Sequence, residues 1–350
     1  MKIIFDNLAF SLQTAGGVSA VWAGLLNNIP EKYIYKYLEW NNKNIFNNKL
    51  NLNKTKLKKN NSCYPKLERL SNVNEFYKEK FIFHSSVYRI CTNKKAINII
   101  TVHDFIDKKF NPNYVKKTLR WFLMKKSIKN ANAIVCISQN TRQDLLKFIP
   151  ELEESKIHII NNGKSDIFRQ VNYEKSSEKF VLFVGKRNRY KNFKILVEAL
   201  EKNNNLNLKL VGGGKLKDEE IKLLSKISKK RYLHYEQVSN QELNLLYNQA
   251  FCLVYPSSYE GFGIPVIEAQ SAGCPIIAAN RSSLPEIIGD SGILLDNLSS
   301  IGISNAIKLL ENNILRDKYI KLGLQNAKQF SWKKMAEEHL ILYKKLWELC

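Results

Sequence analysis

Cysteine is scarce and unpatterned in this chain. Its six residues, Cys63, Cys91, Cys136, Cys252, Cys274 and Cys350, form no Cys-x-x-Cys pair and share no zinc-finger spacing with histidine. That excludes a metal ribbon and a dithiol redox motif, and it fits a reducing compartment. No run approaches the roughly 20 apolar residues of a membrane-spanning helix. The start, Met1-Lys2-Ile3-Ile4-Phe5-Asp6, lacks the apolar core of a signal peptide and reads as a first strand. A cytoplasmic protein is expected, with the inner face of the cytoplasmic membrane as its other station. No Gly-x-x-x-x-Gly-Lys-Ser/Thr loop is present, which excludes a P-loop hydrolase. Gly212-Gly213-Gly214-Lys215-Leu216-Lys217 lacks the third spaced glycine of a dinucleotide fingerprint, and no acidic residue follows a strand where a ribose would need it. A nicotinamide oxidoreductase is therefore disfavoured.

Negative charge is also in short supply. Against 55 Lys+Arg stand 32 Asp+Glu, a formal net charge of +23. Such a balance attracts anionic partners: nucleic acid, an anionic membrane face or phosphorylated small molecules. Part of it is a solvated excess, because 15 of the 21 residues from Asn41 to Asn61 are Asn or Lys. That segment has little to bury, so a mobile insertion at 41–61 is expected rather than a nucleic-acid arm, which would need more stacking aromatics than Phe46.

What is present is an alternation of short β-rich runs with helical patterns. Strands are expected at Lys2–Phe5, Tyr33–Leu38, Phe81–Phe83, Ile97–Val102, Ala133–Ile137 and Ile157–Ile160. A second series follows at Phe180–Val184, Leu206–Val211, Tyr232–Tyr235, Cys252–Tyr255, Pro275–Ala278 and Ile293–Leu295. Strands separated by helices imply βαβ units and parallel sheets, and two series imply two doubly wound α/β domains. At 350 residues the chain suits two cores better than one. A polar stretch without periodicity at 166–179 holds the hinge, giving a first domain at 1–168 and a second at 169–331. A final helix at 332–350 carries an apolar stripe of Ala336, Leu340, Tyr343 and Trp347 that needs a partner surface.

Ligands of parallel α/β sheets bind beyond the carboxyl ends of the strands. After the first strand comes Gly16-Gly17 and then a helix, a turn that lets backbone approach a phosphate. His103 and Asp104 end the strand Ile97–Val102. The strand Phe180–Val184 runs into Gly185-Lys186-Arg187-Asn188-Arg189-Tyr190-Lys191, four cations in six residues, suited to a diphosphate. Farther on, Glu260-Gly261-Phe262-Gly263-Ile264-Pro265 precedes a helix. Pro265 fits its first turn and Gly273 lies past its end, so the amides of Gly261, Phe262, Gly263 and Ile264 face an anion or hydroxyl. Glu260 before the helix and Glu268 about a turn inside it would repel phosphates. They make sense as ligands of hydroxyls, one set on a sugar and one on a ribose.

This stretch resembles the signature of glycosyltransferase family 4, in which two glutamates are separated by seven residues within Glu-Gly-Phe-Gly-x-Pro. The resemblance extends along the chain in the family's order, through Gly16-Gly17, Val102-His103-Asp104, Ile137-Ser138, Asn162-Gly163, Val184-Gly185 with Lys191-Asn192, Leu210-Val211-Gly212, Glu242-Leu243 with Tyr247, Ser282 to Glu286, and Phe330-Ser331-Trp332. It implies the GT-B fold: two Rossmann-like doubly wound parallel-sheet domains facing a cleft, the last helix crossing back to the first. It also implies retaining transfer with no cofactor and no bound metal, in keeping with the absence of any Asp-x-Asp triplet.

Carried onto this sequence, the resemblance makes Glu260 the ligand of the donor sugar and Glu268 that of the ribose. Arg187 and Lys191 would hold the diphosphate, with Lys186 as the alternative to Arg187, and Gly16 and Gly17 would close on it. His103 would lie near the transferred sugar, and Val238 would belong to the nucleotide side. His84, Arg89 and Asp104 fall on the acceptor side. Lys191, as a cleft residue, would be dispensable for folding.

The expected function is transfer of a hexose from a nucleotide sugar, GDP-mannose or a UDP- or dTDP-hexose, to a glycan or lipid-linked acceptor in cell-surface polysaccharide or lipopolysaccharide synthesis, with peripheral contact to anionic membrane and no nucleic-acid partner. The rivals are a sugar-nucleotide epimerase or phosphorylase of related fold, and a basic nucleic-acid-binding protein. The last would account for the charge but not for Glu260 and Glu268.

Overall fold

The computed structural model describes the chain except residues 51, 61–64, 76, 111–113, 174–177 and 204, and the side chains of 66 and 114–117. The chain forms two compact units, one of Met1–Gly163 with Ser331–Cys350 and one of Lys164–Phe330. It passes from the first to the second at Gly163–Lys164, ahead of the expected hinge, and residues 174–177 of that hinge lie outside the described residues.

The first unit is built on a seven-stranded sheet. Its strands are β1 (Ile3–Asp6), β2 (Ile34–Trp40), β3 (Leu57–Asn60), β4 (Phe81–Ser85), β5 (Ala96–Val102), β6 (Ala133–Cys136) and β7 (Ile157–Ile159). The order is β3-β2-β1-β4-β5-β6-β7, with every pairing parallel. β1 is buried at all four positions, as expected of a strand covered by helices on both faces. The order reverses at β1 and β4, which makes their carboxyl ends the switch point of this sheet.

The Asn/Lys-rich segment corrects one expectation. Within 41–61, Leu57–Asn60 is an edge strand, pairing Tyr37 with Leu57 and Trp40 with Asn60. An edge strand draws its order from backbone hydrogen bonds on one side and needs no apolar face, and lysines there discourage further pairing. Lys58 is anchored 2.5 Å from the buried Glu75. Asn51 and Asn61 lie outside the described residues.

The last helix, Trp332–Leu349, belongs to the first unit and packs on the helix Gly17–Asn28. Ser331 caps it by accepting from the Lys334 amide at 3.1 Å. Its buried face is Met335, Ala336, His339, Leu342, Tyr343 and Leu346. The expected stripe was therefore rotated, since Leu340 and Trp347 are only partly buried. Two contacts fix the return of the chain. A Cβ on Gly163 would stand 2.2 Å from the backbone of Ser331, and one on Gly24 would stand 2.4 Å from the Trp332 ring. Both positions admit only glycine.

The second unit carries a six-stranded sheet of β8 (Phe180–Val184), β9 (Asn207–Val211), β10 (Tyr232–Tyr235), β11 (Cys252–Tyr255), β12 (Ile276–Ala279) and β13 (Ile293–Leu295). The order is β10-β9-β8-β11-β12-β13, again all parallel. Alternation along β8 divides the core. Val181 and Phe183 face the helices Phe193–Glu201 and Ser300–Leu309, while Phe180, Leu182 and Val184 face Asn240–Gln249 and Ile264–Ser271. The order reverses between β8 and β11, so the loops after these two strands frame the switch point. Among the described residues no helix is long and apolar enough to cross a membrane.

Candidate functional site

At the carboxyl ends of β8 and β11 the two loops are tied together. The Ser258 amide donates to the Tyr190 carbonyl at 2.7 Å. Asn192, in the left-handed region at φ 51, donates to the Pro256 carbonyl at 2.8 Å and to Ser258 Oγ at 2.6 Å. This lacing brings Lys191 and Glu260, 69 residues apart in sequence, into a buried ion pair. Lys191 Nζ also donates to the Tyr255 hydroxyl at 3.0 Å and lies 4.7 Å from the centre of that ring. Burial, and then the Glu260 charge, push the Tyr255 phenol well above its ordinary pKa, so it stays protonated. Lys191 is 8% exposed. It is therefore part of a packed cluster, which corrects the expectation that folding would not depend on it.

The backbone around Glu260 is fixed from behind. Ser282 Oγ donates to the Glu260 carbonyl at 2.6 Å, and Ser283 Oγ donates to the carbonyls of Glu260 and Phe262, both at 3.0 Å. Gly263 begins the helix Ile264–Ser271 at φ 109, where a side chain would be strained and a Cβ would press Leu284 at 3.1 Å. Gly261, Phe262 and Gly263 are buried, and Phe262 meets the Phe330 ring edge-on at 5.7 Å. The helix start at Ile264 thus stands beside Glu260 on a rigid base.

Glu268 lies one turn farther on and is partly buried. Burial raises its pKa to about 7, against the opposing pull of the Tyr247 hydroxyl and the Lys164 charge. Tyr247 donates to Glu268 Oε2 at 3.2 Å. A carboxylate held this way accepts hydrogen bonds and gains from further donors, which is what a vicinal diol supplies. Val238, just after β10, is partly buried and packs, like Tyr235 and Leu243, against the core cluster that includes Leu246 and Tyr247.

Arg187 does not sit as expected. Its Nε lies 3.0 Å from Glu220, and its terminal nitrogens donate to the carbonyls of Gly212 at 2.7 Å and Gly214 at 2.9 Å. The terminal nitrogens are engaged in closing the Gly212–Gly214 turn, and Nε, beside Glu220, is buried without a hydrogen bond, so the guanidinium faces that turn. Lys186, its neighbour, is exposed and makes no hydrogen bond or ion pair with another described residue.

Within the first unit, the carboxyl ends of β1, β4 and β5 line a pocket of about 210 Å³. His103 and Asp104 line it, and Gly16 and Gly17 fall between two lining residues, Gln13 and Val18. Burial, reinforced by His339, pulls His103 down to about 4, so its ring is neutral at pH 7. Its Nε2 is buried with no hydrogen-bond partner. Asp104 accepts from the Ile106 amide at 2.9 Å and so starts the short helix Ile106–Phe110.

Two acceptor-side expectations are corrected. His84 is fully buried, with Nδ1 2.6 Å from the Tyr343 hydroxyl and Nε2 2.9 Å from Thr101 Oγ1. It joins the last helix to the sheet. Arg89 is buried 3.5 Å from Asp6, donates to the Ser71 carbonyl at 3.0 Å and lies 5.1 Å from the Trp40 ring centre. It neutralises a buried carboxylate, which burial nonetheless holds above its ordinary pKa. Both side chains are structural: they are buried, His84 is hydrogen-bonded at both ring nitrogens, and Arg89 is held by Asp6 and the Ser71 carbonyl although its Nη1 makes no hydrogen bond. Tyr255, Ser282 and Ser283 were missed as supports of the site. Tyr255 opens the stretch that carries the glutamates and Ser282 begins a segment in the family's order, but only the packing of β11 and the loop after β12 brings them to Glu260.

Residues 81–164 match the family profile described as Glycosyltransferase Family 4, and residues 164–329 that described as Glycosyl transferases group 1. The chain belongs to glycosyltransferase family 4. The O-antigen chain mannosyltransferase B of Escherichia coli is 27% identical to it over 77% of this chain and 74% of its own length. Three further curated relatives at 27–29% identity are matched over 59–67% of their own length. Among solved structures, the sucrose-phosphate synthase of Thermosynechococcus elongatus superposes with a TM-score of 0.78 over 100% of both chains at 17% identity. The HepE protein of Anabaena in complex with UDP-glucose superposes at 0.76, covering 99% of this chain and 100% of its own, at 14% identity. The glycosyltransferase thus has the GT-B fold.

Proposed function

We propose that this glycosyltransferase moves a hexosyl group, mannosyl foremost, from a nucleoside diphosphate sugar to a glycan or lipid-linked acceptor with retention of anomeric configuration. The process would be synthesis of a cell-surface polysaccharide. The observation that carries the reading is the Lys191–Glu260 pair set against the Gly261–Ile264 helix start, with Glu268 one turn beyond. The mannosyltransferase name of the Escherichia coli relative supports the sugar, and the UDP-glucose complex of HepE supports the donor class.

In this reading Glu260 takes the sugar hydroxyls and Glu268 the ribose hydroxyls. Lys186, Lys191 and the helix amides meet the charge that develops on the departing diphosphate. A leaving phosphate oxygen takes the proton of the acceptor hydroxyl, so no protein base is required. No metal is assigned a role.

Contact with anionic lipid at the inner membrane face also belongs to this reading. Leu119 and Phe122 are 51% and 63% exposed on the helix Tyr114–Lys129, which carries many cations. Sedimentation with anionic vesicles at low salt, lost at 1 M salt, is the expected result, and absence of sedimentation at low salt refutes it.

A thermal-shift panel of GDP, UDP and dTDP with their hexose conjugates, run in EDTA, tests the central reading. A ligand at 100 times its dissociation constant should stabilise by about 2.7 kcal/mol. Stabilisation that vanishes in EDTA and returns with magnesium or manganese refutes the metal-free mechanism.

A further inference from the structure

The pocket of the first unit holds a cation that makes no hydrogen bond or ion pair among the described residues. Arg69, Tyr88, His103, Asp107, Arg120 and Trp121 are among its lining residues. Most of their charged groups are engaged within the protein. Arg120 Nη1 lies 2.5 Å from Asp107. Lys108, also lining, stands 4.2 Å from the centre of the Trp121 ring, and Asp104 accepts from a helix amide. Arg69 makes no hydrogen bond or ion pair with another described residue. It is only partly exposed. Burial, and then the Arg120 charge, draw its pKa below the usual value, with Asp107 and Tyr88 opposing.

A partly desolvated guanidinium that makes no hydrogen bond to a described residue, and whose neighbouring carboxylate, Asp107, is engaged by Arg120, is an unfavourable arrangement that a ligand anion would relieve. The same pocket is lined by His103, whose buried Nε2 has no hydrogen-bond partner, and by the edge-on Phe105–Trp121 ring pair at 6.2 Å. It opens at the β1/β4 switch point, where ligands of parallel sheets bind. An unpaired planar cation, a neutral imidazole and aromatic walls together match a sugar ring that carries a negative charge.

We infer that this pocket binds an acidic sugar residue of the acceptor, with Arg69 gripping its carboxylate or phosphate and His103 Nε2 meeting a neighbouring hydroxyl. The inference rests on the proposed transferase function and on the acceptor side that the family resemblance gives to Asp104, which lines this pocket. A planar fork suits both anions, so the shared chemistry is a bidentate oxyanion on a hexose.

Calorimetry on the full chain with methyl glucuronide, glucose 1-phosphate and methyl glucoside tests it. At least one acidic probe should bind tenfold or more tightly than the neutral glucoside, the scale of one charged hydrogen bond. The better of the two names the anion. Arg69→Gln should erase the difference and Arg69→Lys should restore part of it, with near-ultraviolet circular dichroism reporting the fold of each. If Arg69→Gln does not fold, Arg69→Lys carries the test through a loss of preference between the probes. Equal binding of acidic and neutral probes, or a preference that survives Arg69→Gln, overturns the inference. Transfer to acidic and neutral acceptors with equal KM also overturns it while leaving the transferase reading intact. A charge preference that depends on Arg69, in a protein that glycosylates no acceptor, sustains the anion site and removes the acceptor reading instead.

Discussion

Removal of the Lys191 ammonium should cost stability as well as catalysis. Lys191 and Glu260 have side chains 10% exposed, and the carboxylate they share with Tyr255 has no other cation within ion-pair distance among the described residues. Lys191→Met keeps the aliphatic volume and leaves Glu260 buried as an unpaired anion. Breaking a buried pair in this way costs about 3–5 kcal/mol when isolation is complete. The Tyr255 hydroxyl and the residual exposure reduce this to about 2–3 kcal/mol. Glu260→Gln should cost a similar amount, because it strands the ammonium. The double variant Lys191→Met/Glu260→Gln removes both charges and should lie within about 1 kcal/mol of the single variants' parent, a coupling of about 2 kcal/mol or more. Because the chain has two units, the readout is hydrogen exchange of the β11 amides, which reports opening of the second unit alone. Turnover should separate from stability: Lys191→Met should lose about 100-fold or more through the missing transition-state charge, and the double variant should stay inactive although stable. Unchanged protection in Lys191→Met would refute the buried-pair argument. Full turnover in the same variant would remove Lys191 from the chemistry.

Glu268 offers a pH test. Its pKa is raised from 4.5 to about 7, so its contribution to stability is fully present below pH 4.5 and is lost as pH rises through about 7. Glu268→Gln should therefore come closest to the wild type near pH 4 and exceed it by about 1–3 kcal/mol at pH 8, at about 1.4 kcal/mol per pH unit. The same thermal difference at both pH values would refute this. Calorimetry with a nucleoside diphosphate should show Glu268→Gln binding about tenfold more weakly and Glu260→Gln nearly unchanged, since that ligand has no sugar; the reverse order would exchange the two roles. Arg187→Gln should lower the melting temperature by loosening the Gly212–Gly214 turn while KM for the donor stays within about twofold, a result that a diphosphate ligand would not give.

The sequence by itself determined the layout. Short β-branched runs at Phe180–Val184 or Cys252–Tyr255 cannot be half-buried strands, because they have no polar face, and that alone requires helices on both sides of a parallel sheet. It also determined the glutamate element, since proline, glycine and two carboxylates at fixed offsets from one helix start are local features. The edge strand Leu57–Asn60 was not legible, because its order comes from the backbone of β2 and not from its own side chains.

Only the tertiary structure decided which charged residues are available to ligands. Arg187, His84 and Arg89 lie where a sequence reading looks for ligand contacts, yet each is consumed by partners far along the chain: Glu220 and the Gly212 carbonyl, Tyr343, and Asp6. Lys191 and Glu260 meet because β8 and β11 are neighbours in a sheet whose order differs from the sequence order. Arg69, in a stretch without any motif, makes no hydrogen bond or ion pair with another described residue in a pocket at a strand switch point. Composition and spacing fix where charge is placed along a chain. Whether a charge is neutralised depends on contacts between residues distant in sequence, and those exist only once the sheets have formed.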